Sequence, residues 1–288
     1  TRSSPSPYPF FCFLVGGGGV GGGGGGRIER AGFLHREPGW WNWPFGFYFG
    51  GRLYDQDTET AYAGMAENIR EYQWVQSYPE KFGPDRLTVF HSAFVNMYNS
   101  EQQGFLSGKL GMVMHGPFLV NVIRVFKPDL DYFAAPFPVE DSIYDADRPI
   151  GMLESDVLAI PRGTPHPDEA FEFLAYTQRR DVVERLAHSK PSPLAATSDT
   201  FAARHPNRSI EVHNRLAQSE RAFLVPRTRI WPYYKREFDT EISTMWDLKA
   251  PAATVLPAIE RRVQSELDRV AEKRAEREAI AAAQGGGA

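Results

Sequence analysis

PIGMLESDVLAIPRGTPHPDEAFEFLAY, residues 149–176, changes its structural period halfway along. The segment SDVLAIP (155–161) is aliphatic and β-branched, bounded by an acidic residue and a proline, and predicts a strand. Pro167, Asp168 and Glu169 then predict a helix start, because proline suits the first helical position and carboxylates suit the positive end of the helix dipole. Ala170, Phe173, Leu174 and Thr177 recur at helical spacing and are the expected buried face, with Phe171 also read as core. A strand that runs straight into a helix predicts an α/β fold.

Similar units lie upstream. Thr58–Tyr78 carries Ala61, Met65, Ile69, Tyr72 and Val75 at helical spacing, and Pro79 and Gly83 end the run. In NSEQQGFLSGK (99–109), Ser100 with Gln103 three residues on predicts a capped helix that buries Phe105 and Leu106 and stops at Gly108. LGMVMH (110–115) predicts a short strand, and GPFLVNVIRVF (116–126) a helix with Phe118, Val122 and Val125 on one face. LDYFAAPFP (130–138) predicts a strand entering a proline-rich loop. The last helix is predicted from Pro257 to about Gln284, with Ile259, Val263, Leu267 and Val270 in line before a charged end that frays. Trp74 and Trp246 fall on predicted helices and are read as ordinary packing.

The 288 residues hold 42% hydrophobic and 24% charged side chains, enough for one large domain or two ordinary ones. The net charge of −4 gives no basic footprint, so nucleic acid is not an expected partner. Cys12 is the only cysteine, which rules out an intrachain disulfide and a cysteine zinc site. No apolar run reaches the roughly 18–20 residues that span a bilayer. The glycine run Gly16–Gly26 lacks the strand, helix and GK[ST] of a phosphate loop and reads as low complexity, so residues 1–26 are expected to be disordered. The start at Thr1, with no charged leader, reads as a truncated N-terminus.

Chemistry for catalysis is sparse. The seven histidines form neither HxH nor HExxH, so no metal site is expected, and no GxSxG offers a nucleophile. Neither a catalytic residue nor a cofactor is expected. Glu154 and Asp156 would share one face of a strand and could only just meet the roughly 5–9.5 Å that separates catalytic carboxylates, with no room for a substrate between them. A glycoside hydrolase therefore ranks below a binding protein.

The densest signal is EPGWWNWPFGFYFGG (37–51), with Trp40, Trp41 and Trp43 inside four positions. Packing three indoles in one small core needs three N–H partners, while the PG and WP steps interrupt regular structure. Flat aromatic faces suit the C–H faces of sugar rings, and each stacked pair adds about 0.5–1.5 kcal/mol beyond burial. Position alone leaves core and ligand surface evenly matched. FGFYFGG (45–51) predicts a helix that stops at its glycine pair.

Four segments in order, REPGWWNWPFGFYFGGRLYD (36–55), FLSGKLGMVMHGPF (105–118), residues 149–176 and RIWPYYKREF (229–238), resemble the extracellular solute-binding proteins of bacterial ABC importers, the carbohydrate-binding family that includes maltose-binding protein. The resemblance covers about residues 27–270. It implies a type II periplasmic-binding fold: two α/β lobes that close over a solute. By position, residues 27–149 and 194–275 match the C-terminal lobe, 150–193 a return segment of the N-terminal lobe, and 276–288 a frayed tail. Only 36 residues precede the EPGWW motif, so the order of motifs implies a fragment without most of the first lobe.

The resemblance places Trp40 and Trp41 as a sugar platform and Trp231 as a second, with Trp43 divided between ligand and core. Phe118 stands where the family has tryptophan after GP, which keeps a stacking surface without the indole N–H. Gly151 and Met152 match a close backbone approach at the lobe crossing, and Asn42, Glu154 and Arg229 are candidate partners for sugar hydroxyls. The implied function is capture of a sugar or oligosaccharide for an ABC permease, by a monomer at the periplasmic or outer face of the membrane. The same fold with glycerol phosphate or a polyamine is the alternative, though no Arg/Lys cluster or carboxylate array favours either.

Overall fold

A computed structural model describes residues 27–154, 157–187, 198–205 and 207–285, so the disorder expected for residues 1–26 lies outside the described residues. The elements run β1 (Tyr54–Asp55), β2 (Thr60–Ala61), α1 (Ala66–Phe82), α2 (Pro84–Ser92), α3 (Leu119–Phe126), β3 (Gly151–Leu153), α4 (Pro167–Thr177), α5 (Arg180–Leu186), α6 (Asp199–Ala203), α7 (Ile210–Gln218), β4 (Ala222–Leu224), α8 (Trp231–Trp246) and α9 (Ala252–Gly285). A 3-10 helix, Phe45–Phe49, precedes β1, and a second, Asp141–Ile143, precedes β3. Strands and helices are mixed, and the class is α/β.

The chain forms two compact units, each built from separated segments. The first holds the chain to Pro38, 93–138 and 145–223; the second holds 39–92, 139–144 and 224–288. These cuts fall elsewhere than the breaks expected after residues 149 and 193.

In the first unit Phe105, Leu106, Val113, Leu119, Val122 and Ile123 form a buried cluster flanked by Phe126, Leu130 and Tyr132. The expected Ser100–Gly108 helix is a series of turns. Gln103 supplies the reason: its Oε1 accepts from the N–H groups of Phe105 and Leu106, both at 2.9 Å, so a side chain takes the place of the next helical acceptors. The strand expected over 110–115 shortens to one parallel bridge between Leu110 and Ala31. Residues 130–138 form no strand. The expected strand at 155–161 is displaced to β3, which pairs with β4; residues 157–161 are irregular, and Ser155 and Asp156 lie outside the described residues. Helix α4 forms where predicted, but Phe171 and Phe173 are 65% and 62% exposed, so neither is core.

The second unit is organised by α1, α8 and α9. Tyr234, Phe238, Ile242 and Met245 line one face of α8, and Leu256, Ile259, Val263 and Leu267 one face of α9. Burying each such side chain contributes about 1.5–3 kcal/mol before entropy is counted. Helix α9 begins five residues before the predicted Pro257 and stays helical into the expected tail. Residues 58–61, expected in a helix, instead form the hairpin that pairs Tyr54 with Ala61 and Asp55 with Thr60. Asp55 sets that turn, its Oδ1 accepting from Asp57 and Thr58 N–H at 3.0 and 3.1 Å.

Two buried amides anchor α1, one to the other two helices and one to the chain before it. Gln76 of α1 donates to Met245 and Ala250 carbonyls at 3.3 and 3.0 Å and accepts from Ala252 N–H at 2.9 Å, which closes α8 and opens α9. Gln76→Ala strands the Ala250 carbonyl and the Ala252 N–H, while the Met245 carbonyl keeps the Leu248 N–H, so a loss of about 1–3 kcal/mol is expected in urea unfolding, and a change within error would refute that role. Asn68 donates to Arg52, Tyr62 and Ala63 carbonyls, and its Oδ1 lies against two glycines. A Cβ at Gly46 or Gly51 would stand 2.0 or 2.1 Å from that oxygen.

Candidate ligand site

In the second unit the aromatic segment divides as its chemistry demands. Gly39 turns the chain at φ 92°, a conformation that only glycine takes without strain, and the tryptophans follow. Trp40 is half-buried and meets Trp41 edge-on, with centroids 5.7 Å apart and planes at 82°. Trp41 is nearly covered. Trp43 is 1% exposed and lies in the core, edge-on to Phe47 at 6.0 Å and to Trp231 at 4.9 Å. Behind it the 3-10 helix Phe45–Phe49 stops at Gly50, whose φ of 82° is the expected left-handed cap.

Helix α8 brings in the second aromatic. Trp231 occupies its first position and is half-buried, Pro232 fixing the helix start. A continuous series of ring contacts runs from it: Trp231 to Tyr234 at 5.9 Å, Tyr234 stacked on Phe238 at 5.7 Å, and Phe238 to Tyr72 at 6.0 Å. Thus Trp43 and Trp231 are brought together, with Trp40 and Trp41 next in the chain. Arg229 is exposed two residues before Trp231.

Asn42 is only 6% exposed. Its amide donates to Gly39 carbonyl at 3.0 Å and to Asp239 Oδ1 at 3.2 Å, while its own carbonyl accepts the Tyr72 hydroxyl. Burial pushes the Tyr72 phenol well above its usual range, so that hydroxyl keeps its proton.

In the first unit Phe118 is 40% exposed at the start of α3, and its ring lies 4.6 Å from His115. Burial lowers the His115 imidazole to about 4, so a neutral ring backs Phe118. Gly151 is buried, and a Cβ there would meet Leu216 Cδ2 at 2.9 Å, so packing on α7 alone demands glycine. Met152 is half-buried beside it and Glu154 is exposed after β3. The Asp156 of the carboxylate pair lies outside the described residues. Among the described residues no cluster of His, Cys, Asp and Glu is placed to hold a metal, and no helix is long and apolar enough to cross a membrane.

What this geometry offers is a pair of half-buried indoles, Trp40 and Trp231, carried by one helical unit. Residues 18–182, more than half of the chain, match the bacterial extracellular solute-binding protein family, and the chain belongs to that family. The maltotriose-binding protein of Pyrococcus abyssi is 25% identical over 156 residues, which are 50% of this chain and 32% of that protein. Among solved structures, CpMnBP1 with mannobiose bound matches with a TM-score of 0.66 at 18% identity, over 82% of this chain and 59% of that one. The maltose/maltodextrin-binding domain of Bdellovibrio bacteriovorus bound to maltotriose matches at 0.62 and 15% identity, over 85% of this chain and 62% of that one. The chain thus spans about a third of the curated relative it matches and about 60% of these structures. At such identities the structures establish the type II periplasmic-binding fold and no more.

The sequence did not single out Tyr72, Asp239 or Glu71. Each sits on a helix at a position where spacing indicates burial or exposure, and nothing local marks a partner 30 or more residues away.

Proposed function

We propose that this chain is the solute-capturing part of a bacterial ABC importer and takes a sugar or oligosaccharide. The observation that carries the reading is the half-buried Trp40 and Trp231 in one unit, with Trp41 behind the first and Trp43 behind the second. Rings held in place in advance meet the apolar face of a pyranose at little ordering cost. The maltotriose, mannobiose and maltodextrin named for the relatives agree with that chemistry. Within the second unit Arg229 is a charged donor; the first unit, taken by itself, offers Phe118 as an apolar face, with Met152 and Glu154 the weaker contributors and Gly151 giving room for the backbone. By lobe, residues 27–149 and 194–275 form the C-terminal lobe and 150–193 the return segment. The chain acts outside the cytoplasmic membrane as a monomer, delivers to permease subunits, and catalyses nothing.

Calorimetric titration with maltotriose and mannobiose tests the reading. Trp40→Ala is expected to weaken whichever sugar binds by about tenfold, the equivalent of about 1.4 kcal/mol. Retention of full affinity in both Trp40→Ala and Trp231→Ala would remove the platform reading. Turnover of chromogenic glycosides, abolished by Glu154→Gln, would replace a binder with an enzyme.

A further inference from the structure

Asn42 is offered by its position as a partner for sugar hydroxyls, yet its polar atoms are turned inward. Both N–H directions of its amide are taken, by Gly39 carbonyl at 3.0 Å and Asp239 Oδ1 at 3.2 Å, and its backbone carbonyl takes the Tyr72 hydroxyl. These attachments come from three places: the Trp40–Trp41 turn itself, helix α8 and helix α1. Asp239 is itself held, its Oδ2 2.5 Å from Lys235 Nζ one turn earlier on α8. Tyr72 is held by Phe238.

We propose that Asn42, Asp239 and Tyr72 form a clamp that sets the direction of the Trp40 face, so that Asn42 is a positioning residue and not a ligand contact. The proposal rests on the sugar-binding reading. Its structural logic is that α8 carries Trp231 at its start and Asp239 eight residues on, about 12 Å along the same rigid axis. The helix that presents one indole therefore holds the turn that presents the other. A turn of four residues bearing two adjacent indoles has many alternative rotamers, and an amide nitrogen held by two acceptors removes many of them before any solute arrives.

The chemistry of the Asn42–Asp239 bond supplies the test. Asn42→Asp faces a carboxylate with a second carboxylate at that distance, and neither can donate until one takes a proton. The ionisable groups around the clamp are Asp239, Lys235 and Tyr234 on α8 and Tyr72 and Glu71 on α1. None of these is lost in the variant. The double variant Asn42→Asp, Asp239→Asn reverses donor and acceptor and needs no acid.

Two measurements on the 288-residue chain decide the matter, each at pH 7.5 and pH 4.5. One is the part of the ultraviolet circular dichroism exciton signal that Trp40→Phe abolishes, read without ligand. The other is maltotriose affinity by calorimetry. At pH 7.5 Asn42→Asp is expected to lose that signal and to bind about tenfold more weakly. Both return in part at pH 4.5 and at pH 7.5 in the double variant, which restore the bond to position 239 but not the one to Gly39 carbonyl, and wild type changes little between the two. Asp239→Asn, which keeps an oxygen at the clamp, matches wild type. If Asn42→Asp weakens binding equally at both pH values with the Trp40 signal intact, Asn42 contacts the sugar and the clamp is overturned. Should wild type bind no maltotriose, the sugar reading fails while the spectral arm still decides the clamp. Should Asn42→Asp not fold, the partly exposed Asp239→Ala takes its place, and an unchanged Trp40 signal there sinks the proposal.

Discussion

Trp43→Ala is expected to lower the unfolding free energy by about 3–5 kcal/mol, the range for deleting a fully buried large aromatic. Trp43 is walled by Phe47 and Trp231, so truncation leaves a cavity that only backbone movement can close. Trp40→Ala, three positions earlier and half-exposed, is expected to change stability by less than about 1 kcal/mol. Urea unfolding followed by circular dichroism at 222 nm separates the two without relying on tryptophan fluorescence. Similar midpoints for both variants would show that the indoles are not divided between core and surface. Because Trp43 backs Trp231, its loss is also expected to weaken sugar binding, whereas Trp40→Ala weakens binding with little loss of fold.

The second large effect belongs to Glu71. It is buried on α1 beside Tyr72, neither carboxylate oxygen has a hydrogen-bond partner among the described residues, and burial raises its pKa well above the ordinary carboxylate value. In the folded chain Glu71 therefore keeps its proton at pH values where the unfolded chain has released it. Below the unfolded value the two states bind the same proton and Glu71 adds no pH dependence. As pH rises above it, the folded state must hold the proton against the solvent, and stability falls by about 1.4 kcal/mol per pH unit until the folded value is reached. Glu71→Gln removes this slope. The stability gap between Glu71→Gln and wild type should widen in the variant's favour as pH rises above the unfolded carboxylate range. Exposed carboxylates held low by their partners, such as Asp145 beside Arg148 and Glu266 beside Arg269, drive the opposite trend and cancel in the difference. A gap that stays constant with pH would mean that Glu71 is ionised and paired in the folded protein.

What the sequence revealed follows from the range over which each signal acts. Helices α3, α4 and α9 were legible because apolar spacing and local stop residues need no knowledge of neighbours. The 3-10 helix Phe45–Phe49 and its Gly50 cap were legible for the same reason. The turn at Ser100–Gly108 was not, since a capping box and a side-chain-closed turn share the same first four residues, and only the Gln103 geometry separates them. Phe173 shows a further limit: periodicity tells which face of α4 seeks cover, not whether the described chain supplies it. Among the candidate site residues, Trp40 and Trp231 are offered by motif, whereas the inward bond of Asn42 depends on Asp239, 197 residues away.

Asn68 carries a consequence for how such a chain can vary. Its amide is fixed by three backbone carbonyls, so its oxygen cannot swing aside when either neighbouring glycine gains a methyl group. Gly46 is therefore closed to alanine for as long as position 68 is asparagine, whereas at Gly51 the Gly46 carbonyl, 2.8 Å from such a Cβ, bars alanine whatever stands at position 68. The order of events matters: a smaller residue at 68 must come first, and its three abandoned carbonyls must find other donors. Positions 46 and 68 are thereby tied to one historical path.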